Sequence, residues 1–169
     1  MDAGTLVPVL ISFGALVVSG VSLGTSIYIW KRSFRPIVTV AVRTSAAGNV
    51  MTAYDLVIVN SGEIPARDIM LKPKSQALLE AALGKEGIAD KKRTPFACFN
   101  RIIPVLLNGD KTTGEFGNTK ANDTGFWKHK SKIGITIIYS DLFGRNYKEQ
   151  QDIEIFTSNT FSGYSWGDK

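Results

Sequence analysis

Hydrophobic and polar positions follow two regimes along this chain, with one interruption. Residues 6–30 (LVPVLISFGALVVSGVSLGTSIYIW) are 25 positions without a charged side chain. As a helix at ~1.5 Å per residue they reach about 37 Å, more than the ~30 Å hydrocarbon core of a bilayer. The run predicts a transmembrane helix, with Pro8 in the first turn, where its missing N–H is harmless. Tyr28 and Trp30 stand at the far end, where aromatic rings favour the headgroup layer. From Pro36 the period drops to two. Val38, Val40 and Val42 share one face of a strand over 36–44, and further strands are predicted over 51–60, 67–72, 133–140 and 147–157. Residues 96–107 (FACFNRIIPVLL) predict one or two more, broken at Pro104 and followed by a turn at Asn108-Gly109. The interruption is SQALLEAAL (75–83), a short helix with Ser75 as N-cap and Gly84 just past its end, followed by a charged loop over 85–93.

Six or seven short strands with turns between them predict a mainly β protein: one N-terminal transmembrane helix, then an antiparallel β-sandwich with a short helical insertion. The predicted organisation is a short tail (1–5), the helix (6–30), a basic juxtamembrane linker (31–35), the sandwich (36–157, helical insertion about 75–84) and an aromatic tail (158–169).

Charge adds a direction. The chain carries 20 Lys+Arg against 15 Asp+Glu, and Asp2 is the single charge ahead of the apolar run. A cleaved secretory signal needs a positive n-region, which MDAGT does not supply. Lys31, Arg32 and Arg35 follow the helix instead, as lipid-facing basic residues. The positive-inside rule then predicts the inner membrane of a cell, single-pass, with the N-terminus outside and the C-terminal domain in the cytoplasm.

The helix surface also has a pattern. Ser12, Ala15, Ser19, Ser22 and Ser26 recur in steps of three and four, a stripe of small residues that permits close helix approach. Gly20 and Gly24 form a small-xxx-small pair roughly 100° or more around from it, at ~100° per residue. The expectation is association with itself or with other membrane subunits.

NSGEIPARDI (60–69) carries a resemblance. An apolar strand, then N-x-G-x-x-P-A, then a short apolar strand resembles bacterial single-pass membrane proteins with immunoglobulin-like domains of the cell-adhesion-related type. In mechanical terms Asn60 ends a strand, Gly62 is free to adopt positive φ, and Pro65 stiffens the approach to the next strand. PVLLNGD (104–110) is similar to the L-x-P-G-(E/D) turn of such domains, with Asn108 in place of Pro. The resemblance implies an immunoglobulin-like sandwich over 36–157. A fold does not confer a function.

Candidate chemistry is sparse. One Cys and one His leave no disulfide framework and no Cys/His zinc set. His129 lies in KHKSK (128–132) and reads as a solvated loop residue; Cys98 lies in FACF (96–99) and reads as a buried small hydrophobe. DLFG (141–144) reads as the turn between the last two strands. No nucleophile elbow, P-loop, zincin or EF-hand spacing occurs, so the expectation is a non-enzyme without a cofactor. Basic clusters at Lys91, Lys92, Arg93 and at Lys128, Lys130, Lys132 read as solvated loop charge, with nucleic acid a minor option. Phe126 and Trp127, with Phe161, Tyr164 and Trp166 of the tail, are candidate partner-binding anchors. The expected function is an accessory or scaffold subunit that assembles through its helix and offers the sandwich to a protein partner. The alternative is a homo-oligomeric membrane effector, channel-like, whose soluble domain senses a ligand. A third reading places the domain outside the cytoplasm.

Overall fold

The computed structural model describes residues 3–90 and 94–156, and the chain divides after Arg35 into two units. The first is a single helix, α1 (Ala3–Ser33). It starts three residues before the uncharged run, so Pro8 falls in the second turn rather than the first. There its ring removes one intrahelical hydrogen bond. Leu10–Trp30 of α1 has a mean hydropathy of 1.8 and is long and apolar enough to cross a membrane. Its described side chains are exposed all round.

The second unit is mainly β, with two antiparallel sheets. One contains β1 (Val38–Ala47), β2 (Met51–Asn60) and β5 (Lys111–Lys120), in the order β1-β2-β5. The other contains β3 (Ala66–Pro73), β4 (Ile102–Leu106), β6 (Lys132–Ser140) and β7 (Asn146–Glu154), in the order β4-β3-β6-β7. The alternation at Val38 and Val40, Ile133, Ile135 and Ile137, and Ile153 and Ile155 turns these side chains into one buried core shared by both sheets.

Three elements differ from the pattern-based expectation. Residues 96–107 form the end of a short helix, α4 (Thr94–Ala97), and then β4, which Pro104 does not break. β4 is an edge strand, where a missing N–H removes no ladder bond. Pro104 also lies opposite a bulge in β3, where Asp68 takes a φ of 52°. The segment 85–93 is not all loop: α2 (Gln76–Ala81), capped by Ser75 accepting from the Leu78 N–H, is followed by α3 (Lys85–Ala89). Between them Gly84 serves close approach, because a Cβ there would lie 2.3 Å from the Gly125 carbonyl oxygen. Finally, β5 has only Phe116 as a large apolar residue, so no alternation announces it.

Asn60 organises the end of the domain where the chain enters. It is fully buried, and its side-chain oxygen accepts from the N–H groups of Ile37 (3.2 Å) and Gly62 (3.0 Å). Its amide donates to the carbonyls of Ile64 (2.8 Å) and Leu106 (3.1 Å). One side chain thus ties the start of β1, its own turn and the end of β4. Positive φ occurs at Gly109, Gly117 and Gly144 and not at Gly62, whose part in the N-x-G motif is to present its N–H to Asn60.

Candidate functional site

Two sheets with free edges meet along two seams. At the β1–β7 seam, the Val40 N–H donates to Gln151 Oε1 (3.0 Å), and Gln151 Nε2 donates back to the Val40 carbonyl. This side chain supplies both halves of a ladder rung, so the edge groups of Val40 are satisfied across the seam.

The β4–β5 seam is built differently. Its upper part is covered by an aromatic cluster: Phe96 of α4 lies 5.8 Å from Phe126 and 6.1 Å from Trp127, and Trp127 stacks on Phe116 of β5 at 4.9 Å. Below that cluster lies a half-open pocket of about 330 Å³. Leu56, Ile58 and Leu71 form its floor, Ile103 and Pro104 one wall, Thr112, Thr113 and Gly114 the other, and Arg101 and Glu115 contribute charge. The register explains the space. Leu56 is paired with Gly114 and Ile58 with Thr112, so where those two leucine and isoleucine side chains face the core, β5 contributes no side chain or a small one. A volume of this order suits a small ligand or a few side chains of a partner. Cys98 also lines it; burial pushes its thiol up to about 12, which favours the neutral form.

The predicted anchors Phe126 and Trp127 are corrected by this geometry. They are 1% and 0% exposed. Trp127 donates its indole N–H to the Phe116 carbonyl and pairs with Leu83 in an isolated bridge. A loop flanked by charge carries them, yet that loop folds inward because two aromatic rings have more to gain from burial than from display. The anchors Phe161, Tyr164 and Trp166 lie outside the described residues, as do Lys91, Lys92 and Arg93 and the side chains of Lys31 and Arg32. Arg35 is exposed.

The basic loop 128–132 is partly structural. Lys128 Nζ donates to the Ala81 carbonyl at the end of α2 (2.8 Å), and Lys132 lies 3.8 Å from Glu154. His129 is exposed beside a depression of about 400 Å³ formed with Asn49, Val50 and Asp123. On α1, Ser12, Ala15, Ser19, Ser22, Ser26, Gly20 and Gly24 are all exposed, and Ser12 Oγ donates back to the Pro8 carbonyl (2.8 Å). Among the described residues no group of three His, Cys, Asp or Glu is placed to hold a metal ion.

A family model described as a domain of unknown function, DUF8453, matches residues 3–158. The chain belongs to that family. The DUF8453 match runs through α1 and both sheets. No curated protein matches the chain. Among solved structures it is similar to the X-ray structure of Northeast Structural Genomics Consortium target SoR45, at 11% identity over 82% of this chain and 97% of that one. The TM-score of that pair, 0.25, carries no argument about this DUF8453 chain.

Proposed function

We propose that this chain is a non-enzymatic, single-pass membrane protein that assembles through α1 and presents its β domain to a protein partner, as an accessory or scaffold subunit of a membrane complex. The observation that carries this reading is α1 itself. Its described side chains are exposed all round, and Leu10–Trp30 is long and apolar enough to cross a membrane. Water does not tolerate an apolar surface of that extent, and a bilayer does. The exposed stripe from Ser12 to Ser26 supports helix association, through Ser19 and Ser22 above all, since the Ser12 hydroxyl is already bonded within its own helix. Lys31, Arg32 and Arg35 support a cytoplasmic domain.

The strand order supports an immunoglobulin-like sandwich. Lettered in chain order, the sheets are A-B-E and C′-C-F-G. That is the two-sheet scheme of the immunoglobulin class with the fourth strand carried on the C-F-G sheet. The partner surface is the β4–β5 seam. β4 and β5 each pair on one side only, and an extended segment of a neighbouring subunit adds to β5 while its side chains enter the apolar floor.

Native mass spectrometry of the full-length protein, extracted gently from its own membrane, tests the reading. Other subunits at a fixed ratio are expected, and Ser19→Leu with Ser22→Leu is expected to dissociate them. Release of the protein by alkaline carbonate would overturn the anchor, and unchanged assembly in the double variant would overturn the helix contact. The second reading, a homo-oligomeric channel-like effector that senses a ligand, is favoured by the volume of the β4–β5 pocket. A pure homo-oligomer together with raised membrane permeability on overexpression would select it.

A further inference from the structure

The turn DLFG is more than a connection. Asp141 is buried, and its Oδ1 accepts from the N–H groups of Phe143 (2.7 Å) and Arg145 (2.9 Å), while Oδ2 accepts from the Tyr147 hydroxyl (3.0 Å). Gly144 takes a φ of +77°, which closes the turn. The result is a braced hairpin tip on which Leu142 and Phe143 stand 53% and 59% exposed. Two adjacent large apolar side chains held outward by a buried carboxylate are a costly way to make a turn, since display in water stabilises nothing.

The position of this tip identifies what it meets. The strand register places residues 141–145, the turn after Leu106 and the start of β1 at one end of the domain: Ser140 pairs with Asn146, Ala66 with Leu106 and Val38 with Asn60. The Tyr139 hydroxyl donates to the Pro36 carbonyl (3.1 Å), so the last turn of β6 touches the point where the chain enters. Leu107, in the neighbouring turn, is also exposed. Only Phe34 and Arg35 separate the last residue of α1 from Pro36, and an extended chain advances at most ~3.6 Å per residue. Any bilayer that α1 crosses therefore has its surface within about a dozen ångströms of Pro36 by this tether.

We infer that Leu142 and Phe143, with Leu107, form an apolar footing that dips into the headgroup layer of the same bilayer. The inference rests on α1 being a membrane span. Around the tip itself the exposed charges balance, Arg67, Lys111 and Arg145 against Glu63, Asp68 and Asp110, and the positive excess at this end sits on Arg35 beside the chain entry. Apolar insertion, not net charge, therefore drives the contact, and it persists in neutral lipid and in high salt.

The test uses the full-length chain with Cys98→Ala, reconstituted in phosphatidylcholine vesicles, carrying an environment-sensitive fluorophore on Leu142→Cys, Phe143→Cys or, as control, Val50→Cys. Val50 is 77% exposed, in the β1–β2 turn at the opposite end. Labels at 142 and 143 are expected to shift to the blue and to be quenched several-fold more by spin-labelled lipid than the label at 50, with little change between low and high salt. Equal quenching at 143 and 50 in protein that floats with the vesicles overturns the footing alone. So does a label at 143 shielded from both water and lipid quencher, which means that protein covers it. Failure of the chain to float overturns the membrane span, and the footing with it.

Discussion

Along the β1–β7 seam one glutamine side chain spans the gap and completes a backbone rung, whereas along the lower β4–β5 seam a mainly apolar pocket lies between two strands that each pair on one side only. The two seams belong to the same pair of sheets and enclose the same core. What separates them is which residues the inward positions carry. Gln151 is long enough to reach Val40 and offers both a donor and an acceptor. Gly114 and Thr112 reach nothing comparable, and a Cβ added at Gly114 would meet no atom within 4 Å. Edge strands that are bridged by side chains stop being templates, and edge strands that are not remain available for pairing. The contrast teaches that closure of a two-sheet domain is decided residue by residue at its edges, not by the strand order.

The largest way to break the contrast is to open the β4–β5 seam completely. Trp127→Ala removes the ring that stacks on Phe116 and packs beneath Phe96. Burial and cavity terms for such a deletion amount to about 3–5 kcal/mol. Urea denaturation of the variant should show a midpoint lowered accordingly; a loss under about 1 kcal/mol would mean that the ring is not a structural plug.

Opening the other seam should cost less. Gln151→Leu leaves the N–H and C=O of Val40 without their partner, an effect of about 2–3 kcal/mol for two half-buried polar groups. Gln151→Glu sharpens the point through pH. Its carboxylate still accepts from the Val40 N–H but faces the Val40 carbonyl, so the folded state raises its pKa above the unfolded value of about 4.3. Stability of this variant is therefore fullest below that value and is lost as pH rises through the raised folded pKa. Chemical denaturation of both proteins at acid and neutral pH should show the deficit against Gln151 shrinking in acid; a pH-independent deficit would exclude the carbonyl contact as its cause.

Much of this arrangement could be read from the residues, and what could not has physical reasons. Strands with β-branched alternation, such as 133–140, and the Ser75 cap announce themselves locally, because the signal lies in the element's own side chains. β5 does not, since KTTGEFGNTK has one inward aromatic and leaves its Thr112 and Gly114 positions to the pocket. The burial of Phe126 and Trp127 depends on Leu83 and Phe96, which lie far away in sequence, and on Phe116 of another element. The exposure of Leu142 and Phe143 depends on Asp141 turning inward to hold backbone N–H groups. A loop containing large apolar residues does not itself reveal whether it plugs the core or projects from it; the polar neighbour that fixes its backbone does.

Cys98 reports on how dry the open seam is. Its thiol is pushed up to about 12 by burial, above the ordinary value of 9.0. The protonated thiol is favoured in the folded state, so its contribution is complete below about pH 9 and is lost progressively as pH rises toward about 12. Cys98→Ala should flatten that part of the alkaline stability profile, and alkylation of the native chain at pH 8 should be far slower than in urea. Equal alkylation rates in the two conditions would mean that the pocket wall is open to water.

The smallest expected effect discriminates best between the seams. Gly114 has ordinary negative φ, since it is absent from the positive-φ positions of β5, and its inward side opens to the pocket opposite Leu56. Gly114→Val relieves the entropy loss of a strand glycine and covers part of the apolar floor, together a gain of about 0.5–1 kcal/mol. The same side chain occupies the space that the proposed partner segment would enter. The expected result is thus a higher denaturation midpoint with a weakened complex in native mass spectrometry, an opposition that general destabilisation cannot produce. A more stable variant that keeps its partners at the same ratio would remove the β4–β5 seam as the contact surface and leave its pocket as a packing consequence of Gly114 and Thr112.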